Sequence, residues 1–330
     1  MIKTENFSKH LRARAIDVEG GRLLMTDLRG SQQELDLSLP PNCHGFGRVH
    51  RFHRRTSVGW PENPLPLEPA SRALGWDRQE SMAVQVFQNA ACNWRCWYCY
   101  VDFALLSANL KHSAFVSAAQ LVEWYLQLPE RPVVIDLSGG QPDLVPEWIP
   151  WMMDALAERG LSEKTFLWSD DNLSTDYFWR FLSEQQRNRI ASYGNYARVC
   201  CFKGFDAESF SFNTKAEPDL FNKQFELFGR LLSAGLDLYA YVTLTGPSLL
   251  NIREKVGRFC DELQQIHPNL PLRTIPLEIR SFTPLRNRLP SINADAEKVQ
   301  KAAIEAWTVE IERRFSSDVR LIGICDVQLS

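Results

Sequence analysis

The 330-residue sequence contains no run of about 18 apolar residues, so nothing in it reads as a membrane span and no membrane is an expected partner. Its opening, MIKTENFSKHLRARAIDVEG, lacks a hydrophobic core and a small-residue cleavage site. No secretory signal is read there, and the expected location is the cytoplasm. Thiols stay reduced in that compartment, so clustered cysteines point to metal binding or catalysis before disulfides. An excess of positive charge is also missing: the net charge of −3 argues against a general nucleic-acid binder, and nucleic acid is not an expected partner. There is no internal repeat and no low-complexity tract.

What is present is ordinary globular material, 45% hydrophobic and 23% charged, long enough for two average domains or one large α/β barrel with an extension. Most of the ten tryptophans read as core. Residues 1–80 look irregular and read as an N-terminal extension of unknown role, able to cap a barrel or bind a macromolecular partner. A hairpin is expected around RLLMTDLRGSQQELDLSL, with Arg29 and Gly30 near the turn. The first 60 residues carry ten Lys/Arg against six Asp/Glu, with most of the excess in GRVHRFHRR at 47–55. That stretch is either a solvated basic strand or loop, or a docking patch for an anionic substrate or partner. A proline-rich crossing, WPENPLPLEP, leads into a body that begins near Ser81.

From Ser81 onward, apolar runs fit strands at 82–88, 133–137, 165–169, 198–203, 238–245 and 277–282. Helical patterns lie between and after them: one capped by Ser117, one from Pro146 to Arg159, and one over 219–234 stopped by Gly235. Further helices are expected at 175–187, 248–266 and 294–315. Six strands alternating with helices imply a parallel sheet, open or closed into a partial barrel. The expected body spans 81–285, and 286–330 should add a C-terminal helix and strand packed on the barrel. Period-two alternation turns Tyr239, Tyr241, Thr243 and Thr245 inward, with Glu278, Arg280 and Phe282, and with Cys201 and Lys203. Leu277 and Ile279 should pack outward. So polar an interior suggests a wide ligand cavity rather than a filled barrel core.

CNWRCWYC, residues 92–99, places three thiols in a C-x3-C-x2-C spacing just beyond the first of these strands. Loops at strand C-termini are where α/β folds bind ligands. Three thiolates facing one point suit an iron–sulfur cube and leave one iron with an open position. A structural zinc site needs four ligands, usually in two pairs, yet Cys43, Cys200, Cys201, Cys260 and Cys325 form no second C-x2-C. Cys43, His44, His50 and His53 could supply a separate zinc set. Trp94 and Trp97 would either shield the thiols from water or pack the loop.

The triplet, with Tyr98 just before its last cysteine, resembles the cluster motif of the radical S-adenosylmethionine superfamily. LSGGQPDL at 137–144 resembles that family's Gly-Gly-Glu-Pro segment, with Gln141 at the Glu position. The resemblance covers residues 81–285 and implies an α/β partial (β/α)6 barrel. By resemblance, Cys92, Cys96 and Cys99 hold a [4Fe–4S] cluster that chelates S-adenosylmethionine. Tyr98 lies near the adenine, and Gly139, Gly140 and Gln141 offer backbone atoms to the methionyl ammonium. Ser169, Asp170 and Asn172 supply polar contacts at the end of the third strand. CFKG at 201–204 resembles a segment of pyruvate formate-lyase activating enzymes, in which Lys203 matches a lysine near the cofactor and Cys201 replaces an acidic residue. The implied reaction is reductive cleavage of S-adenosylmethionine, followed by hydrogen abstraction from a polar or anionic substrate met by Thr243, Thr245, Glu278 and Arg280. It needs a one-electron donor such as flavodoxin or ferredoxin. The insert-free body is also similar to 7-carboxy-7-deazaguanine synthase. Two alternatives stay open: a glycyl-radical-type activating enzyme or peptide modifier acting on a macromolecular partner, and a non-catalytic zinc or iron–sulfur module.

Overall fold

The computed structural model describes residues 1–286, 288 and 295–329. Among these residues ten strands form two sheets: β1 Ile16–Asp17, β2 Arg22–Thr26, β3 Gly47–His53, β4 Ser81–Phe87, β5 Ser113–Ser117, β6 Val134–Leu137, β7 Phe166–Asp171, β8 Tyr196–Phe202, β9 Leu238–Val242 and β10 Thr274–Pro276. The larger sheet has the order β10-β9-β8-β7-β6-β4-β3 and curls into a half-barrel of the α/β class. Every neighbouring pair in it is parallel except β3–β4, which is antiparallel over seven residues.

The crossovers are helical because the intervening segments carry apolar stripes and good caps. α3 (Ala118–Leu126) is opened by Ser117 and Gln120 in a capping box. α4 (Trp148–Glu158) follows β6, while α5 (Tyr177–Phe181) and α6 (Glu184–Ser192) follow β7. α7 (Ala207–Thr214) and α8 (Leu220–Ser233) follow β8, with Gly235 at φ +80° just past the end of α8. α9 (Ile252–Ile266) precedes β10, and α11 (Ala296–Arg314) packs along α9, with Arg314 donating to the Gly257 carbonyl at 3.0 Å. α1 (Thr4–Ala15) and α2 (Leu67–Leu74) belong to the N-terminal segment, and α10 (Thr283–Arg286) follows β10.

Strand alternation divides the side chains into two faces. Phe87, Ile135, Leu137, Leu167, Phe202, Leu238, Ala240 and Val242 meet the helices in the main core. Val84, Val86, Val134, Trp168, Val199 and Tyr239 form a second core inside the curl, plugged by Leu65, Leu67 and Ala70. Each of the Val, Leu, Ile and Phe side chains contributes about 1.5–3 kcal/mol when fully buried. Above the plug the inner face turns polar, with Asp136, Ser138, Asp170, Cys201 and Thr243.

Several expectations need correction. The strand expected at 277–282 is only Thr274–Pro276: β9 ends at Val242, so after the Leu277 N–H to Val242 bond (2.9 Å) the chain has no ladder partner. The hairpin near Arg29-Gly30 does not form. β2 instead pairs with β1 and with all of β5, while Gln32–Asp36 is a 3-10 turn capped by Ser31. The helix expected at 175–187 is two helices, because Ser183 caps a new one. Beyond α11 the described residues hold no strand: α12 (Ser317–Arg320) and a 3-10 turn at Ile324–Asp326 take its place. Residue 294, where the last long helix was expected to start, and parts of 286–330 lie outside the described residues. No helix among the described residues is long and apolar enough to cross a membrane.

Candidate functional site

The cysteine loop leaves the end of β4 and is held from several directions. Arg95 Nη1 donates to the carbonyls of Cys92 (2.5 Å) and Trp94 (2.9 Å), and the Cys99 N–H returns to the Cys96 carbonyl at 3.0 Å. Trp94 is buried, donates to Thr4 Oγ1 of α1 (3.2 Å) and meets Phe210 edge-on. Trp97 is also buried and donates to Asn213 Oδ1 of α7 at 2.9 Å, beside Phe212. Both tryptophans therefore pack and anchor the loop. Asn93 binds Ser8 Oγ (2.9 Å) and Ser174 Oγ (2.7 Å), tying α1 and the end of β7 to the same point.

The glycine turn after β6 lies against this loop. Gly139 and Gly140 have φ of +84° and +73°, a region that favours glycine. A Cβ on Gly139 would sit 2.5 Å from Gln88 Oε1; one on Gly140 would strike the Asn89 side chain and lie 2.6 Å from the Ala91 carbonyl oxygen. The glycines are thus required by the approach of two loops. Gln141 is buried behind them: its N–H reaches the Ala91 carbonyl (2.7 Å), its Nε2 donates to Asp171 Oδ1 (2.8 Å), and its Oε1 accepts from the Asn172 N–H (2.9 Å). Its carbonyl accepts from Asn89 Nδ2 at 2.8 Å.

The three thiols and the glycine turn open on one cavity of about 650 Å3 at the C-terminal ends of the parallel strands. Of the residues singled out from the sequence, Cys92, Cys96, Cys99, Tyr98, Gly139, Gly140, Asp170, Asn172, Lys203, Thr243, Glu278 and Arg280 line it. Gln141 does not. Ser169 points to the helix side, because odd positions of β7 face outward, and bonds Tyr196 Oη at 2.8 Å. Thr245 lies beyond the end of β9 and donates to the Ala296 carbonyl at 2.8 Å, so it is off the cavity. Tyr241 and Phe282 line the wall, whereas Tyr239 is sunk in the lower core. Leu277 and Ile279, expected to pack outward, line the cavity because their segment is not a strand.

Arg280 is engaged by the protein itself, donating to Glu278 Oε2 (3.3 Å) and to the Thr56 carbonyl (2.5 Å). The zinc set does not converge: Cys43 is in the main core, His44 packs on Trp124, and His50 and His53 face the cavity. Among the described residues, no group of three or more His, Cys, Asp or Glu is gathered to hold a single ion.

Sequence reasoning offered only part of one wall of the cavity, the 47–55 stretch read as either a solvated strand or loop or an anion-docking patch. Gln33, Asp36, Leu37, Ser38, Arg48–His53 and Asn63 all come from the N-terminal segment. A signal did exist in the alternation of Arg48, His50 and Phe52. Asp136 and Ser138 were also missed, although a carboxylate inside VVIDL is out of place in a buried strand unless it faces a cavity.

The donor set fits an iron–sulfur cluster and a polar cofactor. All three cysteines are free. Burial pushes Cys96 up to about 12 and raises Cys92 and Cys99, so without a metal these thiols stay protonated and poorly nucleophilic. Metal ligation supplies the compensation that burial withholds. A cluster's ligands stand on different irons and need not crowd as the ligands of one ion must. Tyr98 Oη and Thr243 Oγ1, which face each other, and Asn172 Oδ1 are buried on the same cavity with no other partner among the described residues, which suits a ligand bearing several polar groups.

No family model matches the chain, and no curated protein matches it in sequence. Solved structures of SuiB from Streptococcus suis do match. SuiB bound to precursor peptide SuiA is 13% identical with a TM-score of 0.40, the match covering 56% of this chain and 36% of that one. SuiB bound to S-adenosylmethionine is 15% identical with a TM-score of 0.45, the match covering 70% of this chain and 47% of that one. The chain thus spans less than half the length of the solved structures it matches.

Proposed function

We propose that the chain is a radical S-adenosylmethionine enzyme that acts on a polar substrate, a small molecule or a peptide. The observation that carries this reading is the meeting, on one cavity at the strand C-termini, of three half-buried free thiols in C-x3-C-x2-C spacing with a left-handed glycine pair. Cys92, Cys96 and Cys99 would hold a [4Fe–4S] cluster. When bound, the cluster and S-adenosylmethionine supply a one-electron cleavage whose 5′-deoxyadenosyl product takes a hydrogen atom from an unactivated C–H bond.

The chain's own residues bind, orient and exclude water. Gly139 and Gly140 let a ligand approach the backbone closely, and Tyr98, Asn172 and Lys203 offer polar groups beside the thiols. Asp170 stands further along the wall, held by Ser138 Oγ at 2.5 Å. Tyr241, Trp168 and Phe282 provide apolar walls that position a target carbon and keep water out. An external one-electron donor in the cytoplasm is part of this reading.

Changing Cys92, Cys96 or Cys99 singly to Ala tests the ligand assignment. Each variant should lose the iron of the reconstituted protein and release no 5′-deoxyadenosine on reduction with S-adenosylmethionine. Retained cleavage in any one of them removes that residue from the ligand set.

A further inference from the structure

β3 brings a buried cation into the cavity, its guanidinium 5.4 Å from the Tyr100 ring centroid and within the field of Asp136 and Asp170. Arg48 is 7% exposed, and among the described residues its Nε has no hydrogen-bond partner. Its one hydrogen bond is a long one, 3.4 Å from Nη2 to Tyr100 Oη, and it has no ion-pair partner among the described residues. A buried guanidinium left this way is costly unless something else completes it. The register shows what stands opposite. Arg48 pairs with Val86, Val86 with Asp136, and Asp136 with Trp168, so the four lie in one row across β3, β4, β6 and β7.

Arg48 and Asp136 are two strands apart, about 10 Å between backbones, and both line the cavity. Asp136 Oδ1 is likewise buried without a hydrogen-bond partner among the described residues. Burial, and then the neighbouring Asp170, raise Asp136 well above the ordinary carboxylate range against the opposing pull of the Arg48 charge, a balance that favours the protonated acid. Arg280, the cation favoured by the sequence, is already held by Glu278 and Thr56.

We propose that Arg48 and Asp136 form the substrate's recognition site and that the group they take is a carboxylate, accepting from the Arg48 Nε–H and the Asp136 hydroxyl. Calling the ligand the substrate rests on the reading of this cavity as the active site; the binding itself does not. The guanidinium edge offers donors only and the neutral acid adds its O–H, so that donors on one row outnumber the single carbonyl acceptor, which is the complement of a planar oxyanion.

The test is calorimetric titration of the unreduced protein with benzoate and with benzamide, a pair matched in shape that differs in charge. Wild type should bind benzoate at least tenfold more tightly. Arg48→Gln should bring the two within twofold, and Arg48→Lys should keep part of the preference. Equal binding by wild type, or an undiminished preference in Arg48→Gln, overturns the proposal. If Arg48→Gln does not fold, wild type and Arg48→Lys still decide the question.

Comparing N-acetyl-Ala-Glu-Ala-amide with its Gln counterpart identifies the source. A preference for the Glu peptide marks a peptide-borne carboxylate, and a preference confined to benzoate marks a free acid. Saturating S-adenosylmethionine should leave benzoate binding intact; competition between them would assign Arg48 to the cofactor's own carboxylate and overturn the substrate site. Because nothing is reduced or cleaved, a failed titration leaves the radical reading standing, and a failed cleavage leaves the titration standing.

Discussion

Gly140 shows how one residue can serve both fold and chemistry. Its φ of +73° would cost an Ala about 1–2 kcal/mol. The collision of a Cβ with Asn89 and the Ala91 carbonyl adds to that, because the cysteine loop cannot retreat without moving its thiols. Gly140→Ala should therefore lose about 3 kcal/mol in urea unfolding. Gly160→Ala, at φ +65° with nothing within 4 Å, should lose about 1 kcal/mol. Equal losses would mean that the loops are not in contact. At this scale the motif residues were legible because their types and spacing carry chemistry directly. Arg48 was not legible, since a basic residue in GRVHRFH reads equally as solvated until β3 is known to pair with β4.

Between elements, Gln141 ties the end of β6 to the end of β7 through Asp171 and the Asn172 N–H. Asp171 is already an acceptor for Arg198 at 3.4 Å, so position 141 must donate to it. Gln141→Glu replaces that donor with a second carboxylate and should cost about 2 kcal/mol at pH 8. The introduced carboxyl would have a folded pKa above its unfolded value. Its contribution is therefore present at low pH and lost as pH rises, and the deficit should shrink at pH 5, where a protonated carboxyl donates as the amide does. Urea unfolding at the two pH values checks this; a deficit that grows on acidification contradicts it.

The parallel strands were legible because buried strands read as apolar runs between capped helices, as in VVIDL before the Ser138 turn. The segment 277–282 misled because its alternation reflects a chain lying along a cavity mouth, where polar and apolar residues both find contacts. Gln32–Asp36 misled for a related reason: Asp36 is needed to accept from the Thr283 N–H (2.9 Å), a partner distant in sequence.

Across the whole molecule, the N-terminal segment is built into the body rather than appended to it. β3 extends the main sheet, α1 holds the cysteine loop, Leu65 and Leu67 plug the half-barrel, and Trp60 Nε1 donates to the Pro276 carbonyl at 3.1 Å. We propose that the boundary read near Ser81 is no folding boundary. Calorimetry should show one unfolding transition with equal calorimetric and van't Hoff enthalpies. Two resolved transitions, or a stable proteolytic core starting near residue 81, would contradict it.

The same interlocking makes the cavity a joint product of both segments, with thiols on one wall and the cation of β3 on another. The central claim is that this cavity cleaves S-adenosylmethionine. Anaerobic reconstitution with iron and sulfide, followed by reduction in its presence, tests that claim most directly. The account predicts a brown protein carrying one [4Fe–4S] cluster per chain that releases 5′-deoxyadenosine. A colourless protein with zinc in tetrahedral ligation, or a brown one that leaves S-adenosylmethionine intact, would contradict it.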